Sequence, residues 1–122
     1  MISLVKYLCT VFKCDADALP DIIRQHPYKV FENIKDLHLY YSPASRKNDE
    51  LTPVKADGIT KAGVCTLFAC GGHLGITVEQ YYYMRTGRTF RHPKLQCVIQ
   101  QQGEYGGEIY LPIELIKVDQ KR

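Results

Sequence analysis

Residues 77–87, T-V-E-Q-Y-Y-Y-M-R-T-G, constrain the fold more than any other part of the sequence. Thr77 and Gln80 have the spacing of a capping box, in which each side chain satisfies a free backbone N–H of the other residue. Gly87 lies where a glycine in the left-handed conformation ends a helix. A helix with both ends marked, surrounded by segments of alternating hydrophobicity, predicts an α+β chain with a helix inserted between strands.

Helices are also predicted at the front of the chain. An apolar stripe with helical spacing consists of Leu4, Val5, Leu8, Val11 and Phe12. Two shorter helices are predicted near residues 20–25 and 28–34, separated by Pro27. Alternation at Leu37, Leu39 and Tyr41 then predicts a half-buried strand.

The rest of the chain is predicted to be mostly strands joined by polar or glycine-rich turns. The predicted strands span residues 54–60 (with Gly58 as a bulge), 64–69, 88–93, 95–101 and 108–118. The predicted loops and turns are residues 42–53, 70–75 and 103–107. Pro112 cannot donate a ladder hydrogen bond, so we expect it at a sheet edge or a strand end.

The composition is that of one soluble globular domain. The 122 residues are 45% hydrophobic and 24% charged, which is ordinary for a folded chain of this length. Residues 1–60 carry no net charge, so the whole excess of +3 lies in residues 61–122. That asymmetry suits an anionic ligand.

The sequence also bears on the compartment. Five cysteines, an odd number without a dense framework, indicate reduced thiols and hence the cytoplasm or the nucleus. No apolar run is long enough to span a bilayer, and the first residues lack the cleavage site of a signal peptide. We therefore expect no membrane contact. The helical pattern begins directly after Met1, which suggests a piece of a longer protein.

The three consecutive tyrosines of the inserted helix are predicted to have different roles. At about 100° per residue, Val78, Tyr81, Tyr82 and Arg85 share one face, and Tyr83 points away from it. Tyr82 is the best core candidate and Tyr83 a surface residue. Tyr81 and Arg85 are i, i+4 neighbours, so a phenol and a guanidinium come out side by side and can share one phosphate. The alternative is that Arg85 only covers Tyr81 at the surface.

Two motifs carry a family resemblance. The helix T-V-E-Q-Y-Y is followed without gaps by H-P-K-L-Q-C, and the last strand contains Y-L-P-I-E. This arrangement resembles the PAZ domain of Argonaute and Piwi proteins over about 42 residues, 77–118. The matched positions are Thr77, Val78, Tyr81, Tyr82, His92, Pro93, Leu95, Cys97, Tyr110, Leu111, Pro112 and Glu114. The resemblance is weaker upstream, at N-I-K-D-L-H-L and A-D-G-I-T, and Gln96 stands where the family usually has proline.

The resemblance implies a fold and a function. The fold would be a β-rich α+β domain: an OB-like or SH3-like barrel with N-terminal helices and an inserted β-hairpin–α-helix appendage. One domain would cover residues 1–122, with the barrel near 1–53 and 88–122 and the appendage near 54–87. The domain would anchor the 3′ end of a single-stranded small guide RNA in the cleft between them, inside a larger Argonaute-type chain. It would be no enzyme and need no metal or cofactor.

Carried over position by position, the resemblance implies four main RNA-binding residues. Tyr81 would donate a hydrogen bond to the terminal phosphate, and Arg85 would supply charge one helical turn later. Tyr110 would close the floor of the pocket. Phe68 would stack on the terminal nucleotide, as aromatic side chains do with single-stranded bases.

Further residues are weaker candidates for the same interface. Arg88, Arg91 and Lys94 would border the RNA path in such a domain, although a solvated basic face is the alternative. Tyr40, Tyr41 and Lys55 lie close enough in sequence to compensate for family positions that are not kept.

Those missing positions leave a second reading open. Thr86 stands where the family has an aromatic residue or a histidine after the basic residue. A family histidine falls near Pro43, and a family arginine and tyrosine fall near Thr52 and Val54. The alternative function is therefore a degenerate PAZ-like domain that acts as a structural spacer or a protein-interaction surface without binding RNA ends.

Cysteine chemistry is the least supported function. Cys65, Cys70 and His73, with Cys97 elsewhere, lack the C-x2-C spacing of a zinc knuckle. No cysteine is flanked in the manner of a catalytic nucleophile. Buried thiols are the better interpretation.

Overall fold

The computed structural model describes residues 2–41, 52–67, 75–87, 89–101 and 107–119. The helices are α1 (Leu4–Phe12), α2 (Leu19–Gln25), α3 (Pro27–Ile34) and α4 (Val78–Thr86). The strands are β1 (Ile2–Ser3), β2 (His38–Tyr41), β3 (Thr52–Val54), β4 (Gly58–Ile59), β5 (Cys97–Gln101), β6 (Glu108–Pro112) and β7 (Ile116–Asp119). A 3₁₀ turn, Ile113–Leu115, joins the last two strands.

The strands form two antiparallel sheets. The first has the order β1-β7-β2-β3 and the second the order β4-β5-β6. The 3₁₀ turn carries the chain from the second sheet into the centre of the first. Pro112 ends β6 at this crossing, as predicted, because a residue without an N–H is tolerated where pairing stops.

Both sheets and the three N-terminal helices share one aliphatic core, which we call the main core. Leu8 of α1, Leu39 of β2, Val98 of β5 and Val118 of β7 belong to it and are at most 2% exposed. The first helix contributes Leu4 and Leu8, one turn apart on its buried face. The apolar stripe read from the sequence therefore marks the side of α1 that meets the sheets, except for Val11, which is 38% exposed.

Local signals set the helix ends. Ser3 caps α1 by accepting a hydrogen bond from the Lys6 amide at 3.1 Å, and Lys13 ends the helix in the left-handed conformation. Pro27 opens α3 at its first position, where the missing N–H has no partner to lose. The predicted capping box of α4 is confirmed in both directions, and Gly87 ends that helix with φ 70°.

Four strand predictions are wrong in the described residues. Residues 108–118 do not form one strand, because the 3₁₀ turn Ile113–Leu115 divides them into β6 in the second sheet and β7 in the first. The segment 54–60 is not one bulged strand, because β3 pairs in the first sheet and β4 in the second. Residues 64–67 form a turn, in which the Leu67 amide bonds the Gly63 carbonyl at 2.9 Å. Residues 89–93 are irregular, since the Glu114 carboxylate takes the Arg91 and His92 amides that a strand would pair.

Among the described residues, none of the helices has the length and apolar character required to cross a membrane.

Candidate nucleic-acid interface

Helix α4 is fixed to the 64–67 turn at its first turn. The Val78 amide donates to the Leu67 carbonyl at 2.7 Å, and the Glu79 amide donates to the Val64 carbonyl at 3.0 Å. These bonds use two of the amides that a helix start leaves unpaired. The anchoring sets the helix rotation: Tyr82 is buried at 7% exposure, whereas Tyr83 is 57% exposed. The predicted separation of these two tyrosines is confirmed.

A second group of aromatic side chains forms around Tyr82, and we call it the tyrosine cluster: Tyr41, Tyr81, Tyr82, Phe90 and Tyr110. The Tyr82 ring makes edge contacts with Tyr81 at 5.5 Å, Tyr41 at 6.2 Å and Phe90 at 6.2 Å between centroids. Its hydroxyl donates to the Tyr110 carbonyl at 3.2 Å. Tyr41, Tyr81 and Tyr110 are half-buried, so each has one side in the cluster and one towards solvent.

Tyr81 and Arg85 meet on the outer side of this cluster. Arg85 Nη1 donates to the Tyr81 hydroxyl oxygen at 2.8 Å, and its Cζ lies 5.4 Å from the Tyr81 ring centroid. The Tyr81 hydroxyl therefore acts as an acceptor and keeps its own O–H to donate. Arg85 is exposed, so its other N–H groups reach solvent. A phosphate placed beside the pair can take hydrogen bonds from both groups.

Tyr110 brings a carboxylate to the same region. Its hydroxyl lies 3.3 Å from Glu108 Oε1 and donates to it. Partial burial and then the Glu108 charge raise the pKa of Tyr110 above its ordinary value. The phenol is therefore neutral and remains a donor at physiological pH. Glu108 adds a negative charge that an incoming phosphate has to approach.

Burial controls the ionisation of the central groups. Desolvation, followed by the neighbouring Tyr41, raises the pKa of Tyr82 far above its ordinary value. Burial alone raises the pKa of Cys97. A neutral, buried thiol is neither a good nucleophile nor a ready metal ligand. Within the described ranges, no group of three His, Cys, Asp or Glu side chains is arranged to hold a metal ion.

The structure brings some predicted site residues together and separates others. Tyr81, Arg85, Tyr110 and Tyr41 all lie at the tyrosine cluster. Lys55 lies elsewhere: its amide donates to Gln100 Oε1 at 3.0 Å, and its ammonium is 3.8 Å from the Asp57 carboxylate.

Arg91 and Lys94 line a cavity that contains no member of the tyrosine cluster. Phe68 and Arg88 fall outside the described residues, as do Cys70 and His73 of the rejected zinc site.

Sequence reasoning missed three residues that organise this region. Phe90 supplies the far edge of the cluster. Glu114 accepts the amides of Arg91 and His92 at 3.0 and 2.8 Å. Gln96 is buried and bonds two backbone carbonyls. Glu114 belongs to the Y-L-P-I-E motif, but partners more than twenty positions away leave no local signal of what it binds.

No protein-family model matches this sequence, and no curated protein sequence matches it. Solved structures do match. A structure of the Drosophila Argonaute 2 PAZ domain concerned with 3′-end recognition of nucleic acids superposes with a TM-score of 0.71 at 19% identity. That match covers 98% of this chain and 94% of the other.

Two further structures agree with the first. A Drosophila Argonaute PAZ domain in complex with 3′-end 2′-O-methylated RNA has a TM-score of 0.73 at 20% identity and covers 98% of both chains. A structure of the Drosophila Argonaute 2 PAZ domain and its nucleic-acid binding has a TM-score of 0.72 at 20% identity, covering 98% of this chain and 100% of the other.

These matches define the class of fold as β-rich α+β with N-terminal helices, as predicted from the sequence. More specifically, the chain has the fold of a PAZ domain over nearly its whole length.

Proposed function

We propose that this domain binds the 3′ end of a single-stranded small RNA at the tyrosine cluster and has no catalytic role. The observation that carries the proposal is the Tyr81–Arg85 pair, held side by side at 2.8 Å on a helix whose rotation is fixed by buried contacts. Solved structures with the same fold include one in complex with the 3′ end of an RNA, which supports the assignment.

The chemistry of the pair suits the last internucleotide phosphate of an RNA that ends in a free 3′ hydroxyl. Arg85 offers charge and several N–H donors, and Tyr81 offers one O–H, so a phosphate can take a charge-assisted bond and a neutral one together. Each hydrogen bond to a charged group contributes about 1.5–3 kcal/mol. The half-buried rings of Tyr41 and Tyr110 present aromatic surface next to the pair. Stacking of a base on such a ring is worth about 1–3 kcal/mol.

The wider context is part of the same proposal. The RNA would be a guide in an Argonaute-type chain, whose other domains would contact this one, in the cytoplasm or nucleus. The division into a barrel (1–53 and 88–122) and an appendage (54–87) stays a prediction. So do the RNA contacts of Phe68, Arg88, Lys55 and Arg91.

Fluorescence anisotropy with a short labelled RNA tests the proposal. The variant Tyr81→Phe with Arg85→Ala should bind at least about tenfold more weakly, since it loses one charged and one neutral donor. The control, Tyr83→Phe with Lys29→Ala, removes one hydroxyl and one positive charge from exposed positions outside the pair and should bind like wild type.

The state of the RNA end gives a second comparison. An RNA ending in a 3′-phosphate should bind worse than one ending in a free hydroxyl, because the added charge must fit beside Glu108. Equal binding by both RNAs, or by both double variants, would show that the cluster does not hold the 3′ end.

The competing function is a spacer or protein-interaction domain that no longer binds RNA ends. The Glu108 carboxylate favours it, since it stands 3.3 Å from the Tyr110 hydroxyl and opposes an anionic ligand. Exchange of Glu108 for Gln separates the two functions. If RNA binding is present in wild type and strengthens in Glu108→Gln, the cluster is an RNA site; if neither protein binds, the spacer function is correct.

A further inference from the structure

A cavity lies apart from the tyrosine cluster, and we call it the basic cleft. It has a volume of about 730 Å³ and is bounded by the start of α2, residues 61–66 and residues 91–96. Phe90 packs in the tyrosine cluster, whereas its neighbour Arg91 lines the cleft. The cleft and the tyrosine cluster thus use different side chains of the same chain segment.

The side chains around the cleft favour an anion. Its lining contains four cations, Arg24, Lys61, Arg91 and Lys94, and two carboxylates, Asp17 and Asp21, so it carries a net +2. Arg24 and Asp21 form an ion pair with each other. Within the described part of the chain, Lys61, Arg91 and Lys94 have no carboxylate partner. All three are exposed, so their charge is available to a ligand.

Glu114 contacts the backbone at Arg91 and His92. Both Glu114 carboxylate oxygens accept backbone amides, from Arg91 at 3.0 Å and His92 at 2.8 Å. The carboxylate therefore orders the backbone at the cleft wall, where Arg91 is one of the lining residues.

Buried hydrogen bonds connect the walls of the cleft. Gln96 is 2% exposed, and its Nε2 donates to the Pro20 carbonyl at 3.0 Å and the Lys61 carbonyl at 3.4 Å. This one side chain joins α2 to the 61–66 segment. The Cys65 amide also donates to the Pro93 carbonyl at 3.0 Å. The cleft is therefore formed before any ligand arrives, which lowers the entropic cost of binding.

We propose that the basic cleft binds a phosphorylated ligand of nucleotide size, with its phosphate on Lys61, Arg91 and Lys94. Cavities of about 300–1,000 Å³ are typical of sites for small organic ligands and cofactors, and a bare phosphate would leave most of this one empty. The same chemistry has two sources, a free ribonucleotide or an internal nucleotide of an RNA chain. The proposal does not depend on the tyrosine cluster, because neither the five side chains of the cluster nor Arg85 lines the cleft. Arg91, whose RNA contact is also predicted above, belongs to both proposals.

NMR titration of the ¹⁵N-labelled domain distinguishes the two sites. Since a mononucleotide resembles an RNA 3′ end, the titration with uridine monophosphate is made in the Tyr81→Phe, Arg85→Ala background. The ligand is added up to about 5 mM, and we expect chemical-shift changes at the amides of Ala62, Cys65 and Lys94. The dissociation constant should be in the millimolar range or tighter. A second titration uses a short RNA with a blocked 3′ end. If this RNA shifts the amides of the cleft and uridine monophosphate does not, the ligand is an internal nucleotide of an RNA chain.

A matched pair of variants tests the assigned cations. Lys61→Ala and Lys94→Ala, added to the Tyr81→Phe, Arg85→Ala background, should weaken the binding of uridine monophosphate about tenfold. Adding Lys6→Ala and Lys29→Ala instead removes the same charge from exposed positions on α1 and α3 and should leave binding unchanged. The dispersion of the amide spectrum shows that each variant is folded.

Several results would overturn the proposal: no shift at the cleft with either ligand, equal weakening by both lysine pairs, or shifts with inorganic phosphate as strong as those with the nucleotide. Binding of an acidic peptide without binding of either nucleotide ligand would assign the cleft to a protein partner instead. Loss of RNA 3′-end binding in the Tyr81→Phe, Arg85→Ala variant has no effect on these outcomes, so the two proposals fail separately.

Discussion

The main core and the tyrosine cluster are two apolar regions of one small domain that differ in side-chain type and in exposure to solvent. The main core is aliphatic, and ten of its side chains have 0% exposure. The tyrosine cluster is aromatic, and three of its five members are half-buried. Aliphatic packing stabilises the fold without presenting anything to a ligand, whereas a tyrosine can bury its ring and leave its hydroxyl in solvent. The comparison separates residues that hold the fold from residues that offer chemistry.

The largest expected effect is in the main core. Leu8→Ala should lower the free energy of unfolding by about 3 kcal/mol, through lost burial and the cavity it leaves. Urea denaturation measures this. Val11→Ala on the same helix, at 38% exposure, should cost less than about 1 kcal/mol. The affinity of the folded protein for RNA should be unchanged in both variants. If Leu8→Ala also lowered that affinity, the main core and the tyrosine cluster would not have separate roles.

A smaller effect is expected at the centre of the tyrosine cluster. Tyr82→Phe keeps the ring but removes the hydroxyl that donates to the Tyr110 carbonyl. Tyr41 is a second hydrogen-bond partner of this side chain, so the free energy of unfolding should fall by about 1–2 kcal/mol at neutral pH, the usual value of one to two hydrogen bonds. Denaturation of both proteins under identical conditions measures the difference. A loss near the Leu8→Ala value would mean that the hydroxyl organises the whole cluster.

The Tyr82 difference should depend on pH in a defined direction. The pKa of Tyr82 is raised in the folded state from its ordinary 10.0, so its contribution to stability is complete below pH 10 and is lost as the pH rises above that value. Above pH 10 the unfolded chain releases the phenolic proton while the folded chain keeps it. Wild type should therefore lose stability faster than Tyr82→Phe between about pH 10 and 11. Parallel stability curves would contradict the burial of this hydroxyl.

The smallest effect on stability is expected at the outer side of the cluster. Tyr81→Phe with Arg85→Ala removes a pair exposed on one side, so the free energy of unfolding should change by at most about 0.5 kcal/mol. The same double variant should show the large loss of RNA affinity. Thermal melts and anisotropy on one preparation measure both, and a large loss of stability with intact binding would reverse the assignment of roles.

Much of the fold was predictable because its signals are local. The caps of α4, the stripe of α1 and the position of Pro112 each depend on residues within one or two turns of one another. The separation of Tyr82 from Tyr83 follows from helical periodicity and the same caps.

The failures arise where distant contacts decide. Residues 64–67 have the composition of a strand, but their amides bond to Gly63 and to Pro93 and Leu95, about thirty positions away. Residues 89–93 are held by Glu114, and Gln96 bonds to Pro20, 76 positions earlier. Spacing and propensity contain no information about such partners, so the basic cleft was not predicted at all.

Gly63 has a consequence for tracing relatives of this domain. A Cβ at this position would lie 2.2 Å from the Lys94 carbonyl oxygen, so any other residue would push apart the 61–66 and 91–96 segments. At about 20% identity to known structures, few columns of an alignment can be assigned with certainty. A steric requirement fixes one of them. We expect chains with the same turn against the same segment to carry glycine here, which provides a fixed point for alignment.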